Sequence, residues 1–385
     1  MVKYRLGDIC EIVSGSTPKT GVSEYWDGDK KWITPAEITD ESYIITDSAR
    51  KLTELGVTKT GLSSFPKGTV ILSSRAPIGK VAIAGCEMYC NQGFKNLICS
   101  QKIYNRYLYW FLKGNTEYLN SLGRGATFKE ISKQIVASIE INVPDMEQQM
   151  QAAENLERVS SIIRLRKQEL QKLDDLVKAR FVELFGNLVS GDKIKTNKHK
   201  IGDIAFVTKL AGFEFTKYVQ YKDYGDIIML RGLNCKKGKL ILDDIKWIDK
   251  TTSDLLPRSK LYYGDILMTY AGTIGDVAMV DADNKYHLAP NVAKITLKEK
   301  LYNPVFLMHL FLYTNDYIMS FASKVAQASI NMEKIRNFEY FFPDADMQNQ
   351  FAAFVEQTNK SKAVIQKALD EAQLLFDNLM QKYFQ

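Results

Sequence analysis

The feature that most constrains the fold of this 385-residue chain is an internal duplication. Four pairs of matching segments carry it: Tyr4–Ile9 and His199–Ile204, Pro66–Leu72 and Tyr262–Met268, Ala76–Ala82 and Gly272–Ala278, and Pro144-Asp145 and Pro343-Asp344. The members of each pair lie about 195 to 199 residues apart, which is far longer than the unit of a solenoid repeat. The sequence therefore predicts two related structural units in tandem, with a pseudo-two-fold internal repeat.

The first part of each unit has the pattern of a mixed, mostly β domain. Short β-branched and aromatic runs, such as Thr69–Leu72 and Ile227–Leu230, are separated by Gly and Pro and are typical of strands. A helix is predicted late in each unit, over Tyr107–Leu112 in the first and Val305–Leu312 in the second.

The second part of each unit is predicted to be one long helix. Met146–Phe185 contains no Pro or Gly, and apolar residues recur at sevenfold spacing: Leu156, Ile163, Leu170, Val177 and Leu184. Asp346–Phe384 has a similar pattern, and the preceding Pro144 and Pro343 suit a helix start. Forty helical residues would reach about 60 Å. Two such amphipathic helices in a duplicated chain are most simply buried against each other as an antiparallel coiled coil.

These patterns predict an α+β fold with two mixed, mostly β domains separated by two long helices. The expected bounds are 1–143 for the first mixed domain, 144–185 for the first long helix, 186–198 for a linker, 199–342 for the second mixed domain and 343–385 for the second long helix.

The positive charge of the chain is concentrated in the first unit. Val57–Lys129 contains ten basic and two acidic residues, a local excess greater than the +6 of the whole chain. In the second unit, Arg231 lies close in sequence to Lys236, Lys237 and Lys239. Basic loops on two separate domains suit an extended polyanion, and the charge pattern therefore favours double-stranded DNA as a partner.

Loops rich in small residues and hydrogen-bond donors are the candidate DNA contacts. They are Ser73–Lys80 and Gly123–Glu130 in the first unit, and Thr269–Thr273 and Ala326–Asn331 in the second. Small residues permit close backbone approach, whereas Arg, Asn and Gln can bond base edges. The candidate residues are Arg75, Lys80, Arg124, Thr127 and Lys129, followed by Arg231, Tyr270, Thr273, Gln327, Ser329 and Asn331. The alternative for each loop is an ordinary β-turn, and Gly79 and Gly275 are expected to serve backbone shape.

The motifs that suggest enzyme chemistry are incomplete. Gly79-Lys80 resembles the end of a phosphate loop, but Ser74 replaces the required Gly and Val81 the Ser/Thr. Asn303–Phe306 resembles the Asn-Pro-Pro-aromatic motif of adenine methyltransferases, but Val305 replaces its second proline. Three histidines with no suitable Ser or Cys partner do not suggest a triad. The sequence predicts no catalytic site and no cofactor on this chain.

The cysteines and the absence of long apolar runs indicate the compartment. Five scattered cysteines in a chain of this size are typical of a reduced, cytoplasmic protein. Cys86 and Cys90 have no second pair to complete a zinc site, so no metal is expected. No apolar run is long enough to span a bilayer, and no signal peptide is recognisable at Met1–Asp8.

The order of these parts along the chain resembles that in the specificity subunit of a type I restriction–modification system. Both units contain a Leu/Ile-Gly-Asp-Ile phrase near their start and an Ile-Gly-Lys/Asp-Val-Ala phrase further on. Each mixed domain is closed by Pro-Asp and a long helix, with Gln148-Gln149, Leu173–Leu176 and Leu184–Gly186 along the first. The resemblance covers the whole chain.

The resemblance implies a non-catalytic DNA-binding protein that works inside a larger complex. In that family each mixed domain is a target-recognition domain that reads half of a bipartite, asymmetric DNA site. The paired helices set the gap between the half-sites and dock two methyltransferase subunits, which use S-adenosylmethionine to modify adenine. Separate motor-nuclease subunits use ATP and Mg²⁺. The loops differ between the two domains of this chain, so the half-sites should differ.

Two alternatives remain open from the sequence. The first is the specificity component of a type IIB restriction–modification system, whose partner is a fused methyltransferase-nuclease. The second, of a different class, is a coiled-coil scaffold with two protein-binding domains. The basic excess in Val57–Lys129 argues against the scaffold.

Overall fold

The computed structural model describes residues 1–125, 129–323 and 328–384. The chain forms two compact units, one comprising Met1–Lys167 with Lys367–Gln385 and the other Gln168–Gln366. Each unit therefore contains one mixed domain and about half of each long helix. The domain bounds predicted from the sequence assigned each long helix to one undivided segment, and those bounds stay a prediction.

The first unit combines small sheets with short helices. Its strand Val2–Arg5 pairs antiparallel with Glu140–Val143. A five-stranded sheet has the order Cys10–Ser14, Lys95–Cys99, Val70–Leu72, Val81–Ala84 and Ile44–Ile45, and a three-stranded sheet the order Arg50–Leu52, Trp26–Ile33 and Tyr89–Cys90. The helices before the long one are Leu6–Ile9, Glu54–Thr60, Asn105–Gly114, Thr116–Ser121 and Lys133–Ser138. Two 3₁₀ turns occupy Ser23–Tyr25 and Pro35–Glu37.

The second unit repeats this plan with variations. Its strand Lys198–Lys200 pairs antiparallel with Glu339–Phe341. One four-stranded sheet has the order Ala205–Lys209, Val292–Leu297, Ile266–Thr269 and Val277–Met279; the other has the order Lys246–Ile248, Ile227–Leu230, Tyr286–Leu288 and Lys260–Leu261. Cys235–Lys236 and Lys239–Leu240 form a hairpin. The helices are Ile201–Ile204, Gly212–Tyr218, Lys250–Asp254, Pro304–Tyr313, Asn315–Ser320 and Met332–Arg336, with 3₁₀ turns at Gly232–Asn234 and Pro257–Ser259.

These elements confirm the predicted fold class. The predicted helices lie within Asn105–Gly114 and Pro304–Tyr313, and the strand Ile227–Leu230 has the predicted bounds. Among the described residues, no helix is both long enough and apolar enough to cross a membrane.

The two long helices span Met146–Phe185 and Ala345–Phe384. Each is capped by the aspartate of the Pro-Asp pair: Asp145 accepts a hydrogen bond from the Gln148 amide at 2.8 Å, and Asp344 from the Met347 amide at 2.8 Å. The aspartates therefore start the helices, and the prolines lie outside them. Gly186 ends the first helix with a positive φ of 62°, which glycine adopts readily.

Within the second unit the two helix segments run antiparallel. The aromatic rings of Phe181 and Phe351 lie 5.3 Å apart, and Lys362 donates to the Asp174 carboxylate further along. Within the first unit, the Asn155 side chain donates to the Tyr383 hydroxyl at 2.9 Å. The predicted apolar positions Leu156, Ile163 and Val177 are buried.

A buried glutamine joins each mixed domain to a long helix in the same way. Gln149 accepts from the Tyr104 amide at 2.7 Å and donates to the carbonyls of Lys102 at 3.1 Å and Pro144 at 2.9 Å. Gln348 accepts from the Asn303 amide at 2.9 Å and donates to the Pro343 carbonyl at 2.8 Å. Both side chains are buried. The duplication thus extends to the polar contacts that fix each helix start.

In the second unit, His309 is buried between the helix Pro304–Tyr313 and the long helices. Its Nδ1 lies 2.8 Å from the Val305 carbonyl oxygen, and the charged groups that act on it are Lys362 and Asp174. Burial lowers the pKa of His309 from 6.5 to about 4.

The neutral His309 should make folding sensitive to mild acid. In the unfolded chain the His309 imidazole binds a proton near pH 6.5, whereas in the folded chain it does so only near pH 4. The folded state therefore loses stability as the pH falls between these values. Between pH 7 and pH 5.5 we expect the unfolding free energy of the wild type to fall by about 1 kcal/mol more than that of His309→Met. Urea unfolding of the full chain at both pH values measures this. Equal losses in the two proteins would contradict the assignment.

Candidate nucleic-acid interface

Each unit contains a loop that is closed by a hydroxyl side chain. In the first unit the Ser73 hydroxyl donates to the Pro77 carbonyl at 2.8 Å and accepts from the Lys80 amide at 2.9 Å. The Gly79 amide also donates to the Ser73 carbonyl at 3.1 Å. We call Ser73–Lys80 the closed loop of the first unit. Its closure uses Ser73 and the backbone, which leaves the exposed side chains from 75 to 77 free of any closing role.

The closed loop of the second unit, Thr269–Asp276, has the same hydrogen bonds. The Thr269 hydroxyl donates to the Thr273 carbonyl and accepts from the Asp276 amide at 3.0 Å, and the Gly275 amide donates to the Thr269 carbonyl at 2.9 Å. Gly79 and Gly275 have φ values of 91° and 83°, which only glycine adopts readily. Their predicted role in backbone shape is confirmed.

A second segment lies against each closed loop. In the first unit the Ile131 amide donates to the Ser74 carbonyl at 2.9 Å, and Arg75 faces Glu130 across an isolated antiparallel bridge. In the second unit the Ile330 amide donates to the Tyr270 carbonyl at 2.9 Å. The bridge there joins Ala271 to Ser329. The structure thus brings together the two loops that the sequence singled out in each unit.

The candidate residues of the first unit have different environments. Arg75, Arg124 and Lys129 are exposed, and the Arg75 Nε donates to Glu130 at 2.9 Å. Lys80 is half-buried, with its Nζ 3.3 Å from the Pro35 carbonyl oxygen. The predicted contact Thr127 lies outside the described residues.

Two charged residues that sequence reasoning missed, Glu130 and Lys95, complete this site. The Glu130 carboxylate lies between Arg75 and the Lys95 Nζ, which is 3.3 Å from its Oε1. Burial acts to raise the pKa of Glu130, but the hydrogen bonds from Arg75 and Lys95 outweigh it and hold the pKa below its usual value. Glu130 is therefore ionised at neutral pH. An acidic residue directly after the basic stretch Val57–Lys129 was the signal that could have indicated it.

The candidates of the second unit are mostly uncharged. The Lys209 Nζ lies 5.5 Å from the centre of the Tyr270 ring, a cation–π contact at the base of the closed loop. Thr273 is exposed, whereas Ser329 is half-buried and receives a backbone bridge from Ala271. Gln327 lies outside the described residues.

Asn331 and Arg231 have structural roles that the sequence did not predict. The Asn331 side chain accepts from the Lys334 amide at 2.8 Å and caps the helix Met332–Arg336. The Arg231 Nη2 donates to the Asp244 carbonyl at 2.8 Å and to its carboxylate at 2.7 Å. The Arg231 side chain is only 20% exposed. DNA contact by these residues stays a prediction.

The two units, each with a closed loop against a second segment, make this a duplicated two-domain protein. Residues 1–175 and 194–373 both match the family model described as type I restriction modification DNA specificity domain. The chain belongs to this family, as its sequence resemblance predicted.

Sequence relatives carry the same description. The type I restriction enzyme MjaIX specificity subunit of Methanocaldococcus jannaschii is 34% identical over 247 residues, 63% of this chain and 55% of that protein. The EcoBI specificity subunit of Escherichia coli is 22% identical over 322 residues, 76% of this chain and 66% of that protein. The MjaVIII specificity subunit of M. jannaschii is 22% identical over 394 residues, 94% of this chain and 89% of that protein. The chain thus spans less than two thirds of the length of the first two curated relatives.

Solved structures share the fold over the whole chain. The S subunit of a type I restriction–modification system from M. genitalium superposes with a TM-score of 0.59 at 13% identity, covering 100% of this chain and 96% of that one. A chain from a structural study of complex assembly in a type I restriction–modification system gives 0.59 at 14% identity, covering 99% and 97%. At this identity the likeness concerns the fold.

Proposed function

We propose that the chain is the DNA-specificity subunit of a type I restriction–modification system. Each unit reads one half of a bipartite, asymmetric double-stranded DNA site. The observation that carries the proposal is the repetition of one loop scaffold with different residues inside the loop, Arg75-Ala76-Pro77 in the first unit and Ala271-Gly272-Thr273 in the second. A shared scaffold with unlike donors suits the reading of two unlike half-sites.

The chemistry in this proposal belongs to partner subunits. Two methyltransferase subunits bind S-adenosylmethionine and modify adenine, and motor-nuclease subunits use ATP and Mg²⁺. The incomplete motifs around Gly79-Lys80 and Asn303–Phe306 support a non-catalytic role for this chain. Its five free cysteines suit the reducing cytoplasm, where the complex would meet DNA. The family match favours type I over a type IIB system.

Methylation mapping tests the proposal. The chain is co-expressed with its neighbouring methyltransferase in a methylation-free host, and modified adenines are located by single-molecule sequencing. We expect one two-part motif, because a single chain carries both recognition domains. The gap should be constant, because in this proposal the paired helices set the distance between the two half-sites. The matched control is the methyltransferase without this chain, which should leave no such motif.

A stable complex without a motif would contradict the proposal. It would favour the coiled-coil scaffold with two protein-binding domains. Modification by the purified chain alone would instead show that the chain is itself an enzyme.

A further inference from the structure

We infer that Glu130 is a positioning residue that holds Arg75 so that its two terminal amino groups read a guanine in one half-site. The inference rests on the proposed function and adds a base and a supporting residue to it. The Arg75 Nε donates to Glu130 Oε2 at 2.9 Å. Among the described residues, neither Nη1 nor Nη2 of Arg75 has a hydrogen-bond partner in the protein. The guanidinium is thus fixed on one side and open at its end.

Glu130 is itself anchored to the central sheet. Its other oxygen, Oε1, lies 3.3 Å from the Nζ of Lys95, whose side chain is 9% exposed. Lys95 begins a strand of the five-stranded sheet, where it pairs with Ser14, and its Nζ lies 3.4 Å from the Ser74 hydroxyl. The chain of contacts from the sheet through Lys95 and Glu130 therefore restrains an exposed arginine, whose side chain would otherwise lose rotamer freedom on binding DNA.

Arg75, Glu130 and Lys95, which we call the trio, have a charge and a geometry that suit a guanine. Two cations and one carboxylate leave one net positive charge, so the site still attracts DNA. The free end of a guanidinium presents two parallel N–H donors, which match the O6 and N7 acceptors of guanine in the major groove. No other base pair offers two acceptors in that arrangement.

The trio is confined to the first unit. The backbone bridges place Ala271 where Arg75 lies and Ser329 where Glu130 lies. Lys95 pairs with Ser14 at one end of a strand pair in the first unit, and at the same end of the equivalent strand pair in the second unit Ala293 pairs with Lys209. Ala293 therefore takes the place of Lys95. The same scaffold therefore lacks all three charges in the second unit, and the guanine belongs to the half-site that the first unit reads.

Arg231 provides a contrast between a free arginine and one that is already bonded. Its Nη2 is occupied by the carbonyl and the carboxylate of Asp244, so its end cannot present two free donors. Arg231 is expected to hold the segment up to Asp244 in place.

The test uses the full chain with its methyltransferase and the same methylation mapping. Arg75→Lys keeps the charge but removes the two-donor end, and Glu130→Gln keeps the size but removes the charge that fixes it. The matched control is Glu140→Gln, which carries the same substitution in the same unit, on a carboxylate paired with Lys3 at 2.6 Å. We expect Arg75→Lys to reduce the preference for guanine at one position of one half-site by about ten- to a hundredfold. Glu130→Gln should cause a smaller loss at the same position, and Glu140→Gln none.

The two halves of the motif separate the possible failures. An unchanged base preference at the other half-site shows that a variant complex is folded and active. If a variant modifies too few sites, competition binding of the purified complex to duplexes that differ only at that position gives the same preference. Unchanged base preference in Arg75→Lys would overturn the inference, as would a uniform loss at all sequences, which indicates a phosphate contact. Unchanged preference in Glu130→Gln would overturn the positioning role. Absence of any two-part motif from the wild type would instead refute the proposed function.

Discussion

Replacing Phe351 with alanine should lower the free energy of unfolding by about 3–5 kcal/mol. Phe351 is fully buried in the second unit, with its ring centre 5.3 Å from that of Phe181, 5.7 Å from that of Phe185 and 5.2 Å from that of His309. Removing the ring leaves a cavity that its neighbours on separate helices cannot fill without breaking their own contacts. Urea unfolding of the full chain, followed by circular dichroism, measures the loss.

The same helix offers a matched control for Phe351→Ala. Leu374 is 63% exposed, and Leu374→Ala should change the unfolding free energy by less than about 0.5 kcal/mol. A loss below about 1 kcal/mol in Phe351→Ala would show that the aromatic cluster does not pack as described.

Replacing Gln149 with leucine should lower the unfolding free energy by about 2–4 kcal/mol. The substitution leaves the Tyr104 amide and the carbonyls of Lys102 and Pro144 without the partner that Gln149 supplies. Leucine of similar size fills the space, so the expected cost comes from unsatisfied buried polar groups and not from a cavity. Thermal and urea unfolding of the full chain both report it.

The neighbouring glutamine is the control for Gln149→Leu. Gln148 is exposed, and Gln148→Leu should change stability by less than about 0.5 kcal/mol. Equal effects of the two substitutions would mean that helix propensity, and not the buried hydrogen bonds, accounts for the loss.

The sequence predicted the elements better than their partners. The duplication, the two mixed domains and both long helices follow from residue spacing alone, because periodicity reports which face of a helix is apolar. Spacing does not report what covers that face. The split of each helix between two compact units depends on contacts far apart in sequence, such as Trp110 with Phe376 and Phe306 with Phe181.

The candidate site was predicted at the level of loops but not of side chains. The small residues and glycines of the closed loops are local signals, and from them the sequence predicts Ser73–Lys80 and Thr269–Thr273 as candidate DNA contacts. Lys95 looks like an ordinary surface lysine, because only its place in the sheet brings its Nζ to Glu130. The sequence predicts Asn331 as a base contact, which stays a prediction, but it did not show that the same side chain accepts a hydrogen bond from the Lys334 amide and caps a helix.

The division of each long helix between the units has a consequence for the order of folding during synthesis. The core of the first unit includes contacts of Tyr107 with Phe384 and of Trp110 with Phe376, yet the ribosome makes those partners only after the whole second unit. At about 5–20 residues per second, the roughly 260 residues between the helix Asn105–Gly114 and Phe376 take about 13 to 52 s. During that interval the aromatic face of the helix Asn105–Gly114 lacks its native cover and is a natural substrate for chaperones. The unit that emerges first from the ribosome is thus the last to be completed.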